Sequence, residues 1–321
     1  SPVTSGRTDK PKVLAIIGPT ATGKSHCGIA LARILDGEII SGDSMLVFRH
    51  MDIATAKPTA EELALVPHHL VDILEPGEKF SVVDFQQQAG QWIRDCNCRG
   101  KLPILVGGTG LYVKALLEGY DFSQVDESAS LRRELAAYAD REGNAALHRK
   151  LEALDPAKAM ELKINDRRRI IRAIETTLGG ERVSAAKAAE SPYDAVVFGL
   201  SMPRASLYER INLRVDQMVE QGLFEETRKL MAMGVPETAQ SMKSIGYRQV
   251  LQYFHGEWTR EECIAKLKQA TRNFAKRQVT WYKKMPYIQW FQLENPPDYQ
   301  RCVAEMLAAL QKQNFIPKQE P

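Results

Sequence analysis

Eight consecutive residues constrain the fold of this chain more than any other segment. The pattern G-x-x-x-x-G-K-[ST] is matched at every fixed position by Gly18, Pro19, Thr20, Ala21, Thr22, Gly23, Lys24 and Ser25. A short apolar run over 12–17, with no polar alternation after Lys12, precedes them, and a helix-like stretch over 24–35 follows. A strand, a glycine-rich turn and a helix in this order surround phosphate oxygens with backbone N–H groups and a helix N-terminus. The sequence therefore predicts a site for a di- or triphosphate, with Lys24 as its point charge and Ser25 as a Mg²⁺ ligand; a chance glycine-rich turn is the alternative.

Further apolar runs predict a parallel sheet. Strand patterns lie at 38–41, where Ile39 and Ile40 are apolar, and at 103–106 and 195–200, and helical stretches separate them. Strands that alternate with helices build parallel sheets, so the predicted fold class is α/β, a P-loop NTPase-like sheet core with a helical insertion and C-terminal helices. We predict a first core part over 1–119, a helical insertion without strands over 120–192, and the rest of the core over 193–321. The last part should hold helices at about 204–221, 224–233 and 259–285, and a polar tail that frays from Lys312.

Composition excludes several classes of protein. Apolar residues make up 44% of the chain and charged residues 26%, which is typical of a globular protein. No run of 18 apolar residues exists, so no membrane span is expected. The five cysteines contain no Cys-x-x-Cys pair, which argues against a disulfide framework and against a zinc finger. We therefore expect a reduced, cytoplasmic protein that acts as a monomer.

The basic residues are concentrated in two places. The net charge is only +3, yet ten Lys/Arg face three Asp/Glu between Ser241 and Phe291. A second cluster, between Lys163 and Arg172, has five basic residues and one aspartate. Such clusters favour the binding of a polyanion, and two solvated helix faces are the alternative.

Polar residues follow the second and third predicted strands. Asp43 and Thr109 should lie at the carboxyl edge of the sheet, beside the phosphate loop. A carboxylate there could complete a Mg²⁺ shell or accept a proton from a bound nucleophile. A loop-capping role for Asp43 and a helix cap for Thr109 are the alternatives.

His68 and His69 have no cysteine or carboxylate partner at metal-binding spacing, and we interpret them as structural.

An ordered set of motifs resembles the bacterial tRNA dimethylallyltransferase (tRNA isopentenyltransferase) family. Besides the phosphate loop, the motifs are IISGDS (39–44), MDIATAKP (51–58), PHHLVD (67–72), VGGTGLY (106–112), SIGYRQ (244–249) and AKRQVTW (275–281). Eukaryotic relatives have a C-terminal zinc finger, which this sequence lacks, so the resemblance is to the bacterial form.

The resemblance implies transfer of a dimethylallyl group from dimethylallyl diphosphate to N6 of the adenine at position 37 of tRNA, just 3′ of the anticodon. The loop, otherwise typical of ATP-binding proteins, would then hold the diphosphate with Mg²⁺ and without ATP hydrolysis. Asp43 would be the general base, and Thr109 would donate a hydrogen bond to the bridging oxygen. Arg214 is our candidate for a further diphosphate clamp, with a surface arginine as the alternative.

The resemblance also implies which segments border the anticodon stem-loop of tRNA. Helical residues of the insertion would grip the stem. The expected contacts are Asp43, Ser44, Met45, Leu46 and Thr109, then Arg168, Arg169, Ile170, Ile171 and Arg172, then Lys243, Ser244, Ile245, Gly246, Tyr247 and Arg248, and finally Lys276, Arg277, Gln278, Val279, Thr280, Trp281, Tyr282 and Lys283.

Two other functions compete with this interpretation. A small-molecule kinase or adenylate prenyltransferase would use the same pocket without RNA, but it needs neither the insertion nor the basic segment. An RNA-binding module with a vestigial phosphate loop would not need Lys24, Ser25 and Asp43 intact.

Overall fold

The core of the protein is a six-stranded sheet. In the computed structural model, which describes residues 9–121, 128–178 and 190–318, all neighbouring strands are parallel. The strands are β1 (Lys12–Ile17), β2 (Gly37–Ser41), β3 (His68–His69), β4 (Leu102–Gly107), β5 (Asp194–Ser201) and β6 (Gln289–Gln292), in the spatial order β3-β2-β4-β1-β5-β6. Strands β1, β2 and β4 are buried along their whole length. This explains the apolar residues at their centres, and the parallel sheet with its helices confirms the predicted fold class.

Helices cover both faces of this sheet. They are α1 (Lys24–Leu35), α2 (Ala60–Leu65), α3 (Val82–Cys98), α4 (Gly110–Leu117), α5 (Ser128–Glu142), α6 (Asn144–Leu154), α7 (Pro156–Glu161), α8 (Arg167–Thr177), α9 (Arg204–Gln221), α10 (Leu223–Ala232), α11 (Tyr247–Phe254), α12 (Arg260–Tyr282) and α13 (Tyr299–Lys312). Side chains of β1 alternate between two apolar clusters: Val13 and Ala15 pack with α3 and α4, whereas Leu14 and Ile16 pack with α1 and α13. The phosphate loop therefore sits above a core that is filled on both sides.

The C-terminal part differs from the sequence prediction. It contains α11, β6 and α13 in addition to the three predicted helices. We predicted that the tail frays from Lys312. The first residues after Lys312 contradict this prediction, because the chain packs against the core directly after α13. Phe315 is 1% exposed, and its carbonyl accepts a hydrogen bond of 2.7 Å from the Lys12 ammonium.

Helices α5 to α8 form a unit with its own apolar cluster. The cluster includes Leu131, Leu147, Leu151 and Ile174, and it contains no residue of the sheet. The described residues between 120 and 192 contain no strand, as predicted, while 122–127 and 179–189 lie outside the described residues. The boundaries at 119 and 192 stay a prediction.

None of the described helices is both long and apolar enough to cross a membrane.

Candidate active site

The phosphate loop has the backbone shape that its sequence predicts. Ala21 and Gly23 both adopt left-handed conformations, with φ of 69° and 91°. Helix α1 starts directly after Gly23, with no side-chain cap and no acidic residue in its first turn. Within the described part of the chain, no side chain caps its first N–H groups, so they can surround an anion.

Lys24 sits in an environment that disfavours its own charge. Its ammonium donates a hydrogen bond of 2.9 Å to the carbonyl of Gly18. Burial lowers its pKa from 10.5 to about 8; the nearby Asp43 opposes this effect and Arg214 adds to it. The ammonium is still mostly protonated at pH 7, so a bound anion would offset the cost of burying its charge, and Lys24 suits a phosphate ligand.

Asp43 and Thr109 meet beside the phosphate loop. Oδ1 of Asp43 accepts a hydrogen bond of 2.8 Å from Met45 N, so this side chain does cap its own loop. The Thr109 hydroxyl makes no helix-cap hydrogen bond and accepts one of 3.1 Å from Ser44 N. The ends of β1, β2 and β4 thus converge, and one small pocket is lined by Lys24, Ser25, Ser41, Asp43 and Gly107.

Two arginines of α9 approach the loop from its other side. Arg214 donates to the hydroxyl of Thr20 at 3.3 Å, and burial lowers its pKa while Asp43 opposes that effect. Arg210, one turn earlier, donates to the carbonyl of Ala21 at 3.0 Å. Both line a cleft of about 810 Å³ beside the loop. The prediction missed Arg210, although its spacing of four residues from Arg214 places both on one helix face.

Two residues expected at the tRNA surface instead support the loop from inside. The Gln278 amide accepts from Thr20 N and donates to Gly108 O, both at 2.9 Å. The Tyr282 hydroxyl donates to Gly18 O at 2.9 Å. These side chains are 4% and 1% exposed, so the structure corrects their expected position on the surface: they fix the loop, and a contact with RNA stays a prediction.

The other expected tRNA contacts divide by exposure. Ile170, Gly246 and Tyr247 are buried, so their expected position on the surface is corrected as well. Ile170 packs in the insertion cluster, and the Tyr247 hydroxyl donates to Glu226. Arg277 is held by an ion pair of 3.5 Å with Asp155, which connects α12 to the insertion. Half-buried positions are Ser44, Met45, Leu46, Ile171, Ser244, Ile245, Val279 and Trp281. Exposed positions are Arg168, Arg169, Arg172, Lys243, Arg248, Lys276, Thr280 and Lys283.

His69 has partners that its sequence neighbours do not reveal. Its Nε2 lies 2.7 Å from Oε1 of Glu38, and the Cys96 thiol is also close to that carboxylate. Both oxygens of Glu38, however, accept from Arg99 at 2.6 and 2.8 Å. The expectation that His69 has no such partner is therefore wrong, and its structural role stays a prediction, which the engagement of Glu38 by Arg99 favours.

The sequence is similar to those of known proteins over most of its length. The family model described as IPP transferase matches residues 46–285. A relative from Shouchella clausii, named tRNA dimethylallyltransferase, is 48% identical over 90% of this chain and 93% of its own length. Its counterpart from Carboxydothermus hydrogenoformans is 46% identical, over 87% and 91%.

Two solved structures are similar to this fold. The tRNA isopentenylpyrophosphate transferase from Bacillus halodurans has a TM-score of 0.71 and 44% identity, and covers 95% of this chain and 98% of its own. A eukaryotic dimethylallyltransferase described as acting on tRNA has a TM-score of 0.64 and 26% identity, with 96% and 81% covered. With these matches over most of its length, the chain belongs to the IPP transferase family.

Proposed function

We propose that this protein transfers a dimethylallyl group from dimethylallyl diphosphate to N6 of the adenosine at position 37 of tRNA, with release of pyrophosphate. One observation carries the proposal: a carboxylate, Asp43, lies beside the ammonium of Lys24 at the mouth of a phosphate loop. Such a pair provides a proton acceptor next to a diphosphate holder. The relatives' names supply the substrate class.

The loop side of the site would stabilise the leaving group. When the allylic C–O bond breaks, negative charge grows on pyrophosphate, and Lys24, Arg214 and the loop N–H groups would surround it, since both side chains contact the loop. The Thr109 oxygen already accepts from Ser44 N, so its own proton is directed elsewhere and can be donated to the bridging oxygen.

Magnesium would suit the donors on this side. The hydroxyls of Ser25 and Ser41 and the carboxylate of Asp43 line one pocket, and these are the oxygen ligands that Mg²⁺ prefers. We propose that Ser25 holds the ion. When bound, Mg²⁺ supplies further positive charge to the diphosphate.

The acceptor would be activated by Asp43. The adenine amine is a weak nucleophile because its lone pair is delocalised into the ring. As the N6–C bond forms and the C–O bond breaks, one N6 proton passes to the Asp43 carboxylate and pyrophosphate leaves. Met45 N donates a hydrogen bond to Oδ1, which would orient the carboxylate for this transfer.

The tRNA would bind across two basic surfaces. Arg168, Arg169 and Arg172 are exposed on α8 of the insertion, and Lys276 and Lys283 are exposed at the end of α12. The Arg277–Asp155 ion pair holds these two surfaces together. Since one chain carries the loop, the base and both surfaces, we propose a monomer that acts in the cytoplasm on the anticodon stem-loop.

The decisive experiment measures transfer of labelled dimethylallyl to an anticodon stem-loop RNA. We expect Mg²⁺-dependent label on adenine with the wild type, and loss of label with Asp43→Asn although pyrophosphate and RNA still bind. Asp36→Asn is the matched control, because Asp36 lies at the far end of α1 in an exposed ion pair with Lys101. Label in the Asp43 variant would remove this residue as the base. Transfer to free AMP without transfer to RNA would favour a small-molecule acceptor.

A further inference from the structure

We propose that Arg210 and Tyr299 form a clamp that holds the phosphate loop in its diphosphate-binding shape. They are positioning residues, because they act on the loop backbone and not on the reacting atoms. The inference rests on the proposed function, in which this loop binds the diphosphate of the donor.

The clamp connects two neighbouring loop carbonyls to α9 and α13. Arg210 Nε donates to Ala21 O at 3.0 Å, and the Tyr299 hydroxyl donates to Thr22 O at 3.1 Å. Arg210 Nη2 donates to the same hydroxyl at 3.3 Å, so the two side chains are joined to each other. The guanidinium, the phenol and the two carbonyls therefore form one closed network.

The loop needs such support because of its backbone. Ala21 has a φ of 69°, which is unfavourable for a residue with a Cβ, and the surroundings must hold it there. A phosphate cradle also requires its N–H groups to point inward, so its carbonyls must be held outward. Arg210 and Tyr299 bind the carbonyls on the outer side, and a Cβ at Gly23 would lie 2.1 Å from the Tyr299 oxygen.

Arg210 is positioned differently from Arg214. Three of its nitrogen atoms are already engaged, because Nη1 donates to Asn295 Oδ1 at 3.3 Å in addition to the two contacts above. All three acceptors are uncharged oxygen atoms. Among the residues that the structure describes, Arg214 by contrast makes one side-chain hydrogen bond, from Nη1 to Thr20. Arg214 thus has donors to give to a phosphate, whereas Arg210 uses its planar fork to hold the loop.

The proposal assigns a role to the C-terminal helix. Tyr299 is the first residue of α13, beyond residue 285 where the match to the family model ends. Its ring also packs on His26 of α1, with 4.6 Å between centroids. The diphosphate site would then depend on a segment that the family match does not include.

Calorimetry with inorganic pyrophosphate and Mg²⁺ tests the clamp without any need for RNA. We expect Tyr299→Phe to bind about fivefold more weakly and Arg210→Gln about thirtyfold more weakly than the wild type. The matched control is Tyr208→Phe, because the buried Tyr208 hydroxyl of α9 has no hydrogen-bond partner among the described residues. This control should bind like the wild type.

Two further measurements separate positioning from a direct charge or a general loss of structure. Arg210→Lys keeps the positive charge but lacks the planar guanidinium, so this variant should also bind pyrophosphate more weakly than the wild type. An affinity equal to that of the wild type would overturn the clamp. The double variant should lose less than the product of the single losses, since both residues act on one loop. Tyr299→Phe should raise KM for dimethylallyl diphosphate and leave KM for RNA unchanged.

The outcomes distinguish this inference from the proposed function. If the wild type transfers the label but Tyr299→Phe binds pyrophosphate as tightly as Tyr208→Phe, the clamp alone is overturned. If the wild type does not bind pyrophosphate, the diphosphate site fails and the clamp fails with it.

Discussion

Replacing Lys24 by methionine should stabilise the unliganded protein at neutral pH while removing its affinity for pyrophosphate. Burial lowers the pKa of Lys24 from 10.5 to about 8, so the folded state holds this proton less readily than the unfolded chain. At pH 7 that difference amounts to about 3 kcal/mol against folding. Methionine keeps the aliphatic length without the charge, and should raise the free energy of unfolding by about that amount.

The pH dependence of this effect has a definite sign. Between pH 8 and 10.5 the folded wild type binds fewer protons at Lys24 than the unfolded chain does, so its stability from this group rises with pH. The advantage of Lys24→Met should therefore shrink to about 1.5 kcal/mol at pH 9.5. The difference in stability between Lys24→Met and the wild type excludes the contributions of other groups that titrate at alkaline pH, because both proteins contain them. One such group is the buried Cys96 thiol, whose pKa is raised by burial to about 12.

Urea unfolding at pH 7 and pH 9.5, in a buffer without phosphate, measures both numbers. Lys229→Met on the exposed side of α10 is the control, and should change the free energy of unfolding by less than about 0.5 kcal/mol. The reasoning is refuted if Lys24→Met is no more stable than the wild type at pH 7. It is refuted equally if the difference between the two proteins is the same at both pH values.

Two further predictions concern other buried contacts. In Gly108→Ala the new Cβ would lie 2.4 Å from Gln278 Nε2, so that amide must move. We expect this variant to bind pyrophosphate about tenfold more weakly by calorimetry. Gly77→Ala, where the space is open, is the control and should bind pyrophosphate like the wild type. Hydrogen bonds from Arg99 are the main reason why the pKa of Glu38 falls to about 2. Glu38 thus contributes stability above about pH 4.5 that is lost as the pH falls towards 2. Because Arg99 is 42% exposed, we expect Glu38→Gln to cost only about 2 kcal/mol at pH 7 in urea unfolding, and wild-type stability to match that of the variant near pH 2.

Elements with clear end signals were predictable from the sequence. Helix α1 follows Gly23 and helix α9 ends at Gly222, and both have the predicted bounds. Strand β6 was missed because four residues at a sheet edge give little periodicity. Helix α13 carries its apolar residues at helical spacing, so its signal was present in the sequence and was not used.

The site was predictable only where one motif contains its own partners. The phosphate loop and Lys24 belong to one short motif, and Asp43 follows a recognisable strand. The support by Gln278 was not predictable, because its partner Thr20 lies 258 residues away in the chain. A glutamine on a basic helix has the same sequence signal whether it faces RNA or a buried carbonyl, and only the packed fold separates these two roles.

The placement of β1 between β4 and β5 has a consequence for synthesis on the ribosome. Leu14 pairs with Ile104 on one side and with Val196 on the other, so the central strand needs both neighbours before its edges are covered. The second neighbour is translated about 90 residues after the first, which at ordinary elongation rates is roughly 5 to 20 s later. During that interval the nascent sheet exposes one open apolar edge. The insertion emerges in the same period, and in the folded protein a hydrogen bond of 2.6 Å from Ser191 to Leu117 O connects its C-terminal end to the end of α4.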